Sequence, residues 1–189
     1  MADRRFDVVS DSLEYSVSFE DLPAEGLWVS LTAGDAERSA LAERLDVAEI
    51  EKVGAEIELA WVRDQMGRRL IAITGEVHAS LTQICVVTLN PLPAELDCVI
   101  DLRMTDRPDV AEPDWEADHD DDDPPEYLPE GAIDLAEVIA QQLSLDINPF
   151  PRSPDLPYQD VSAGGDGDHA DAPEKPFAGL AALREKLDK

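Results

Sequence analysis

The sequence predicts an α+β protein built on a curled antiparallel β-sheet, either a meander or a partial barrel, with a few short helices. Apolar and polar residues alternate along several segments between residues 15 and 104, and alternation of period two is typical of half-buried strands. Helical spacing is confined to short segments. Acidic and proline-containing stretches interrupt and follow the ordered part, and they predict a disordered acidic insert and a mobile C-terminal tail.

The first two strands are predicted near the N-terminus. Tyr15, Val17 and Phe19 alternate with polar residues, which predicts a half-buried strand that ends at Leu22-Pro23. Residues 27–33 have the composition of a second strand.

A helix is predicted over residues 36–45, with Asp35 as its N-cap. Leu41 and Leu45 lie four residues apart and give this helix one apolar stripe. A shorter helical turn is predicted over residues 47–52.

The period of two returns at residue 55, where Ile57, Leu59 and Trp61 alternate with Glu56, Glu58 and Ala60. After a predicted turn at residues 66–68, two further strand segments cover 70–77 and 79–89. A turn is predicted at residues 90–93, because proline fixes φ and removes a backbone donor. Residues 96–104 are the returning strand, and a hairpin centred on that turn brings Cys85 near Cys98.

Residues 106–130 contain twelve acidic residues, five prolines and one basic residue, Arg107. Self-repulsion and proline both oppose a packed element, so this segment is predicted to be the flexible insert. A helix follows over residues 133–145, with Leu135, Ile139 and Leu143 on one face. We therefore predict one domain over residues 1–150, a disordered linker over 151–175 and a short docking helix over 176–189.

The formal net charge is −28, from 15 Lys and Arg against 43 Asp and Glu. Such a field repels phosphate backbones, so it disfavours unaided nucleic-acid binding and favours a basic protein partner. The N-terminal residues lack the apolar stretch of a secretory signal, and no apolar run reaches the roughly 20 residues of a membrane span. We expect a cytoplasmic protein without membrane contact, and the sequence does not indicate its oligomeric state.

The sequence shows no pattern of an active site or a cofactor site. His78, His119 and His169 are scattered, and no phosphate loop or nucleophile elbow is present. Residues 118–123 carry a run of aspartates but have neither the glycine nor the glutamate of a calcium loop, and the glycine-rich residues 164–169 occur without a repeat. We expect no enzyme, no cofactor and no metal.

Cys85 and Cys98 lie in apolar surroundings and are predicted to be buried thiols. Two isolated cysteines lack the closely spaced pairs of a structural zinc site.

Several apolar residues of the predicted insert and tail are candidates for partner binding. Trp115 and Tyr127 stand among acids, where they either anchor a basic partner or cover the edge of the domain. The terminal segment resumes an apolar, helix-forming pattern after polar residues, which is typical of a segment that docks. Its candidate contact residues are Pro176, Phe177, Leu180 and Leu183.

Three segments in this order resemble the YceD family of large ribosomal RNA subunit accumulation proteins, over about residues 19–184. Residues 75–77 with 83–89, which include Cys85, are similar to the family's central strand and its cysteine signature. Asp134 and Leu135 open a segment similar to the helix after its acidic region, and residues 176–184 are similar to its closing segment. Many members have Cys-x-x-Cys at the signature, whereas this chain has Cys85 and Thr88.

The resemblance implies a bacterial, non-enzymatic factor that is needed for accumulation of the RNA of the large ribosomal subunit. Together with the charge, it leads us to expect binding to a basic ribosomal protein or a pre-ribosomal particle. Two alternatives remain open. One is direct RNA binding through Arg63, Arg68 and Arg69, and the other is a metal-binding protein or metal-dependent enzyme.

Overall fold

A computed structural model of the chain describes residues 7–108, 124–129 and 131–155. Its elements are, in chain order, β1 (Val8–Ser10), β2 (Ser16–Ser18), β3 (Leu27–Thr32), α1 (Asp35–Arg44), β4 (Glu49–Arg63), β5 (Arg69–Ile84), β6 (Pro91–Thr105), β7 (Glu126–Tyr127), β8 (Ala132–Asp134) and α2 (Leu135–Asp146). Within these residues, no helix is long and apolar enough to cross a membrane.

The strands form one sheet of six in the order β1-β3-β4-β5-β6-β7 and a separate pair, β2-β8. The four central strands, β3 to β6, are an antiparallel meander, as predicted. β1 pairs parallel to β3 and β7 pairs parallel to β6, so the sheet is mixed. It is not closed, and the meander rather than the partial barrel therefore describes it.

One face of the meander forms the core. In β3 to β6 the inward positions alternate with exposed ones, and Val29, Ile57 and Ile100 lie in one cross-strand row of buried side chains. Side chains from α1, α2 and the β2-β8 pair cover this face in a single apolar cluster. The opposite face of β3 to β6 carries no packed layer from the described residues, which is a common arrangement in antiparallel sheets.

Helix α1 begins one residue earlier than the sequence indicated, so the prediction of Asp35 as N-cap was wrong. Gly34 is the N-cap, and its N–H donates to the Glu37 carboxylate at 2.7 Å. Asp35 is instead the first helical residue and forms an ion pair with Arg38 at 2.7 Å. The same Glu37 carboxylate accepts from the Ser12 hydroxyl and the Leu13 N–H, so it joins the start of α1 to the preceding loop.

The predicted helical turn over residues 47–52 was also wrong. Asp46 has a φ of 54° and ends the helical path, after which β4 starts at Glu49. A register shift between Ile50 and Lys52 hides the period of two at the start of this strand. The turn predicted at residues 66–68 was correct, since Gly67 lies in it with a φ of 77°.

The hairpin between β5 and β6 turns at Cys85–Asn90 and not at residues 90–93. The Cys85 N–H donates to the Asn90 carbonyl at 2.9 Å, and β6 begins with Pro91. β6 has a strand on its outer side only at Met104 and Thr105 among the described residues. Pro91 and Pro93 therefore occupy a sheet edge, where proline is tolerated.

The shifted turn separates the two cysteines. Cys98 lies opposite Val77, whereas Cys85 follows Ile84, which lies opposite Pro91. Pro91 and Cys98 are seven residues apart on an extended strand, about 23 Å at 3.3 Å per residue. The expected proximity of Cys85 and Cys98 was therefore wrong, whereas their burial as free thiols is confirmed.

The second helix is confirmed, with a later start. Asp134 ends β8, and its Oδ1 accepts from the backbone N–H groups of Ala136 and Glu137, so α2 starts at Leu135. Leu135, Ile139 and Leu143 share the predicted face and are fully buried. Most of the predicted acidic insert, most of the predicted linker and all of the docking helix lie outside the described residues.

Candidate interaction surface

The solvent face of the sheet presents two cross-strand rows that are dominated by carboxylates. One row runs from Trp28 through Glu58 and Thr74 to Asp101, and the next runs from Ser30 through Glu56 and Glu76 to Val99. Both rows consist of positions that alternate with buried residues, so their side chains point away from the core. We call these eight residues the acidic face.

The carboxylates of the acidic face have few partners among the described residues. Glu56, Glu58 and Asp101 form no side-chain hydrogen bond or ion pair there, and Glu76 approaches only His78, at 3.8 Å. The acids in the neighbouring rows are engaged. Asp97 contacts His78 at 2.7 Å and Glu95 accepts from the Ser80 hydroxyl at 2.6 Å. In the part of the chain that the structure describes, these four carboxylates thus have less internal compensation than Asp97 and Glu95 in the neighbouring rows.

Basic side chains stand at the two ends of this surface. Lys52 lies opposite Ser80 in a row beyond His78, and Arg103 lies opposite Ala72 in the row beside Asp101. Neither belongs to the two central rows. Within the described residues, the two central rows therefore contain four carboxylates and no basic side chain.

The acidic face also contains a shallow depression with apolar side chains. A space of about 300 Å³ is lined by residues of both rows together with Gly75 and Ile100. Val99 is 67% exposed although it lies between acids, and Trp28 is half-buried. The surface therefore offers charge and apolar contact side by side.

Gly75 supports this depression by letting two strands approach closely. A Cβ at this position would lie 2.3 Å from the carbonyl oxygen of Glu56 and 2.9 Å from the Cα of Ile57. A glycine inside a strand often marks such a close backbone approach. Gly75 thus fixes the spacing between the strand that carries Glu56 and the strand that carries Glu76.

The turn between β5 and β6 exposes apolar side chains, and backbone hydrogen bonds stabilise it. Leu89 N–H donates to the Cys85 carbonyl at 2.9 Å, and Val86 N–H donates to the Pro151 carbonyl at 2.9 Å. Leu89 is 75% exposed and has a φ of 59°. A positive φ is unusual for a bulky residue. We call this surface the apolar turn; its exposed side chains are Ile84, Val86, Val87 and Leu89, and the exposed Phe150 neighbours Pro151 in the chain.

Cys85, from the signature, lies at the base of the apolar turn. The Thr88 hydroxyl and the Thr88 N–H, at 3.4 Å from Sγ, together lower the pKa of Cys85 to about 6, against the opposing effect of burial. Thr88 lies three residues after Cys85, where a Cys-x-x-Cys pattern would have its second cysteine, and it supplies a hydrogen-bond donor instead of a thiol. At Cys98, by contrast, burial is the largest cause and a hydrogen bond with Asp146 the second of a pKa of the thiol raised to about 12.

The other two signature residues have structural roles. Asp134 caps α2, and Leu135 is fully buried and donates its N–H to the Tyr15 carbonyl at 3.0 Å.

A groove of about 540 Å³ lies between α1 and α2. Arg44 and Glu137 bridge the two helices with two hydrogen bonds of 2.7 Å, and this contact lowers the pKa of the Glu137 carboxyl.

The candidate partner-binding residues are only in part within the described chain. Tyr127 lies on β7 at the sheet edge and is 43% exposed, and Leu128 beside it packs against the core. The structure thus places one aromatic residue of the predicted insert at the edge of the sheet. Trp115, Pro176, Phe177, Leu180 and Leu183 lie outside the described residues.

The three arginines of the alternative RNA site meet at the turn between β4 and β5, where each has an internal partner. Arg63 donates to the Gly67 carbonyl at 2.7 Å, and Arg68 pairs with Asp64 at 2.5 Å. The Arg69 guanidinium lies 3.5 Å from the ring centroid of Trp61. These contacts stabilise the turn and reduce the number of guanidinium donors that are available to bind a phosphate.

No metal site is evident in the part of the chain that the structure describes, since no three potential ligand side chains come together there. The aspartates of residues 118–123 and the glycine-rich residues 164–169 lie outside it. His78, the one histidine within it, is half-exposed and bonded to Asp97.

Sequence reasoning missed the acidic face, although part of its signal was visible. Glu56 and Glu58 are the outward residues of an alternating strand, and so is Glu76 in the next one. Their convergence depends on the register Glu56↔Glu76, which a single strand does not reveal.

The comparisons with known proteins identify one family. The family model described as "Large ribosomal RNA subunit accumulation protein YceD" matches residues 73–184. The match begins within β5 and includes the apolar turn, β6, Asp134 and α2. No curated protein and no solved structure matches the chain.

Proposed function

This chain belongs to the YceD family, whose name implies a role in accumulation of large ribosomal subunit RNA, and we propose that it acts there as a non-enzymatic assembly factor. In this proposal it binds a basic ribosomal protein or a pre-ribosomal particle in the cytoplasm.

The observation that supports a basic partner is the acidic face. Four carboxylates of two adjacent rows point to solvent with little internal compensation, in a chain whose net charge is −28. A protein that binds RNA neutralises phosphates with Lys and Arg, which carry the opposite charge. Complementary surfaces of this kind accelerate encounter and suppress wrong partners, and their effect weakens as salt screens the charges.

Direct binding to RNA is the less favoured alternative. A polyanion of this charge repels phosphate, and Arg63, Arg68 and Arg69 already hold internal contacts. In this proposal, the chain contacts the ribosomal proteins of the particle and not its RNA. Reversing the charges of Arg68 and Arg69 should therefore leave association with the particle nearly unchanged.

The terminal segment 176–189 is a second contact in this proposal. Phe177, Leu180 and Leu183 recur at spacings that suit one face of a helix, and an amphipathic helix docks by its apolar face. Deleting residues 176–189 should weaken association with the particle and leave the thermal unfolding of the domain unchanged. Unchanged association would remove this contact from the proposal.

The decisive experiment is sedimentation of a lysate through sucrose gradients at low and at moderate salt. We expect the protein to migrate with precursors of the large subunit at low salt and to leave them as salt rises. A ribosomal protein of the mature subunit, followed in the same fractions, controls for intact particles. If the protein stays at the top of both gradients while the particles are intact, the proposed function is wrong.

A further inference from the structure

We propose that the acidic face of the sheet is a docking site for an extended polypeptide segment that carries Lys or Arg at alternate positions. The inference rests on the proposed function for the source of that segment, a basic protein of the large subunit. The binding of such a segment follows from the face itself and is tested separately.

The spacing of the carboxylates suits an extended cationic segment. Glu56 and Glu58 are two residues apart on β4, about 6.8 Å along the strand. Alternate side chains of an extended partner repeat at the same distance, so its cations can meet both carboxylates in register. Glu76 and Asp101 belong to the same two rows on the neighbouring strands β5 and β6, and they widen the negative strip beneath the partner.

The face has a specific reason to attract cations. Glu56 and Glu76 lie directly opposite each other, and opposed like charges on neighbouring strands repel. The described chain offers Glu56 and Glu58 no counter-charge, and it offers Glu76 only His78 at 3.8 Å. A Lys or Arg placed between the two strands would satisfy both carboxylates at once.

Apolar contacts give the site more than charge. Val99 ends the row of Glu56 and Glu76 and is largely exposed, and Trp28 begins the row of Glu58. The depression of about 300 Å³ lies between these two side chains and the acids. The aliphatic stem of a Lys or Arg can lie along such a surface while its charged end reaches a carboxylate.

The alternatives to a polypeptide fit the face poorly. Three potential metal ligands do not come together in the described residues, so the carboxylates are spread as a strip and not as a chelate. A nucleic acid brings phosphates that the same carboxylates repel. An extended cationic segment is the occupant that uses the whole strip.

The test measures binding of a fluorescent synthetic peptide of alternating lysine and valine residues to the full-length protein by anisotropy, at about 0.1 M salt, where the Debye length is about 10 Å. The face variant carries Glu56→Gln, Glu58→Gln and Glu76→Gln. The matched control carries Glu20→Gln, Glu25→Gln and Glu43→Gln, which are exposed glutamates outside the two rows. Both variants lose the same net charge, and circular dichroism establishes that both are folded.

We expect the face variant to bind the peptide at least about tenfold more weakly than the wild type, because local ion pairs are lost. The control should change the affinity by less than about twofold, because distant charges are screened. Equal weakening in both variants would overturn the inference, since the peptide would then respond only to net charge. Undiminished binding by the face variant would overturn it as well.

The peptide assay and the gradients separate the two proposals. If the wild type migrates with large-subunit precursors but the face variant binds the peptide as well as the control does, the docking site is wrong and the proposed function stands. If the face variant alone loses the peptide while the wild type fails to migrate with precursors, the docking site stands and its partner lies elsewhere.

Discussion

Glu56 of β4 and Glu76 of β5 lie directly opposite each other on the solvent face of the sheet. Glu56 lies between the buried residues Ala55 and Ile57, and Glu76 lies between the half-buried Gly75 and the buried Val77, so both side chains point to solvent. The two carboxylates therefore lie side by side, and like charges directly opposite each other on neighbouring strands are destabilising. Among the described residues only His78 approaches either carboxylate, at 3.8 Å from Glu76, so we expect the pair to lower the stability of the folded state.

Replacing one member of this pair should stabilise the protein. We expect Glu76→Gln to raise the free energy of unfolding by about 0.2–1 kcal/mol, because an opposed like-charge pair becomes neutral on one side. Urea unfolding at low and high salt measures the change, which should shrink as salt rises. Glu20→Gln is the control in an exposed turn. A loss of stability in Glu76→Gln would show that the pair is not repulsive.

Gly75→Ala should destabilise the sheet. The new Cβ meets the Glu56 carbonyl oxygen at 2.3 Å, so β4 and β5 must separate, at a cost of about 1–3 kcal/mol typical of overpacking. Gly54→Ala is a matched control, since its Cβ would be 3.6 Å from the Leu31 carbonyl oxygen, an ordinary contact. Thermal unfolding compares the two, and equal effects would contradict the close approach at Gly75.

Leu89→Gly should leave the protein as stable or more stable. Leu89 has a φ of 59° and buries little surface. The left-handed conformation costs a non-glycine residue about 1–2 kcal/mol, of which the greater chain entropy of glycine offsets about 0.5–1 kcal/mol. Val87→Gly, in the same turn but without a positive φ, should give no gain. Chemical unfolding of both variants measures the difference, and a clear loss in Leu89→Gly would refute the argument.

Asp134→Ala should remove the cap of α2. Its carboxylate accepts from two N–H groups at the first turn of the helix, and loss of such a cap costs about 0.5–2 kcal/mol. Asp134→Asn keeps an acceptor at the same position and should retain most of the stability. If both substitutions cost the same when measured by urea unfolding, charge and not capping would be the function of this residue.

Thr88→Val should raise the pKa of Cys85 from about 6 towards the usual range of a thiol, because the hydroxyl donor is lost. The folded pKa lies below the unfolded one, so the thiolate contributes stability that is fully present above pH 9 and is lost as pH falls through about 6. Thiolate absorbance during a pH titration measures the pKa, and Cys85→Ser identifies the signal. Thr88→Ser keeps a hydroxyl and should titrate like the wild type.

The local patterns predicted most elements because the relevant contacts repeat along the chain. Leu135, Ile139 and Leu143 recur at helical spacing and all point into the core. The alternation of Ile57 and Leu59 with Glu56 and Glu58 likewise marked β4. Each of these signals lies within one element and needs no knowledge of its neighbours.

The errors arose where a strong local signal competed with a distant contact. Pro91 and Pro93 indicated a turn, but the strand can accept prolines because it lies at the sheet edge. Asp35 had the chemistry of an N-cap, yet the carboxylate of Glu37 selects Gly34. The acidic face and the pairing of β2 with β8 depend on strand register across the chain, which no short segment contains.

The pairing of β2 with β8 also determines when this fold can be completed during synthesis. Ser16 lies opposite Asp134 and Ser18 opposite Ala132, about 115 residues later in the chain. At 5–20 residues per second, the N-terminal strand waits roughly 6–23 s on the translating ribosome for its partner. Until β8 and α2 emerge, the inner face of the meander is not yet covered by Ile133, Ile139 and Leu143. The nascent chain thus completes its core only after residues 132–146 have been synthesised.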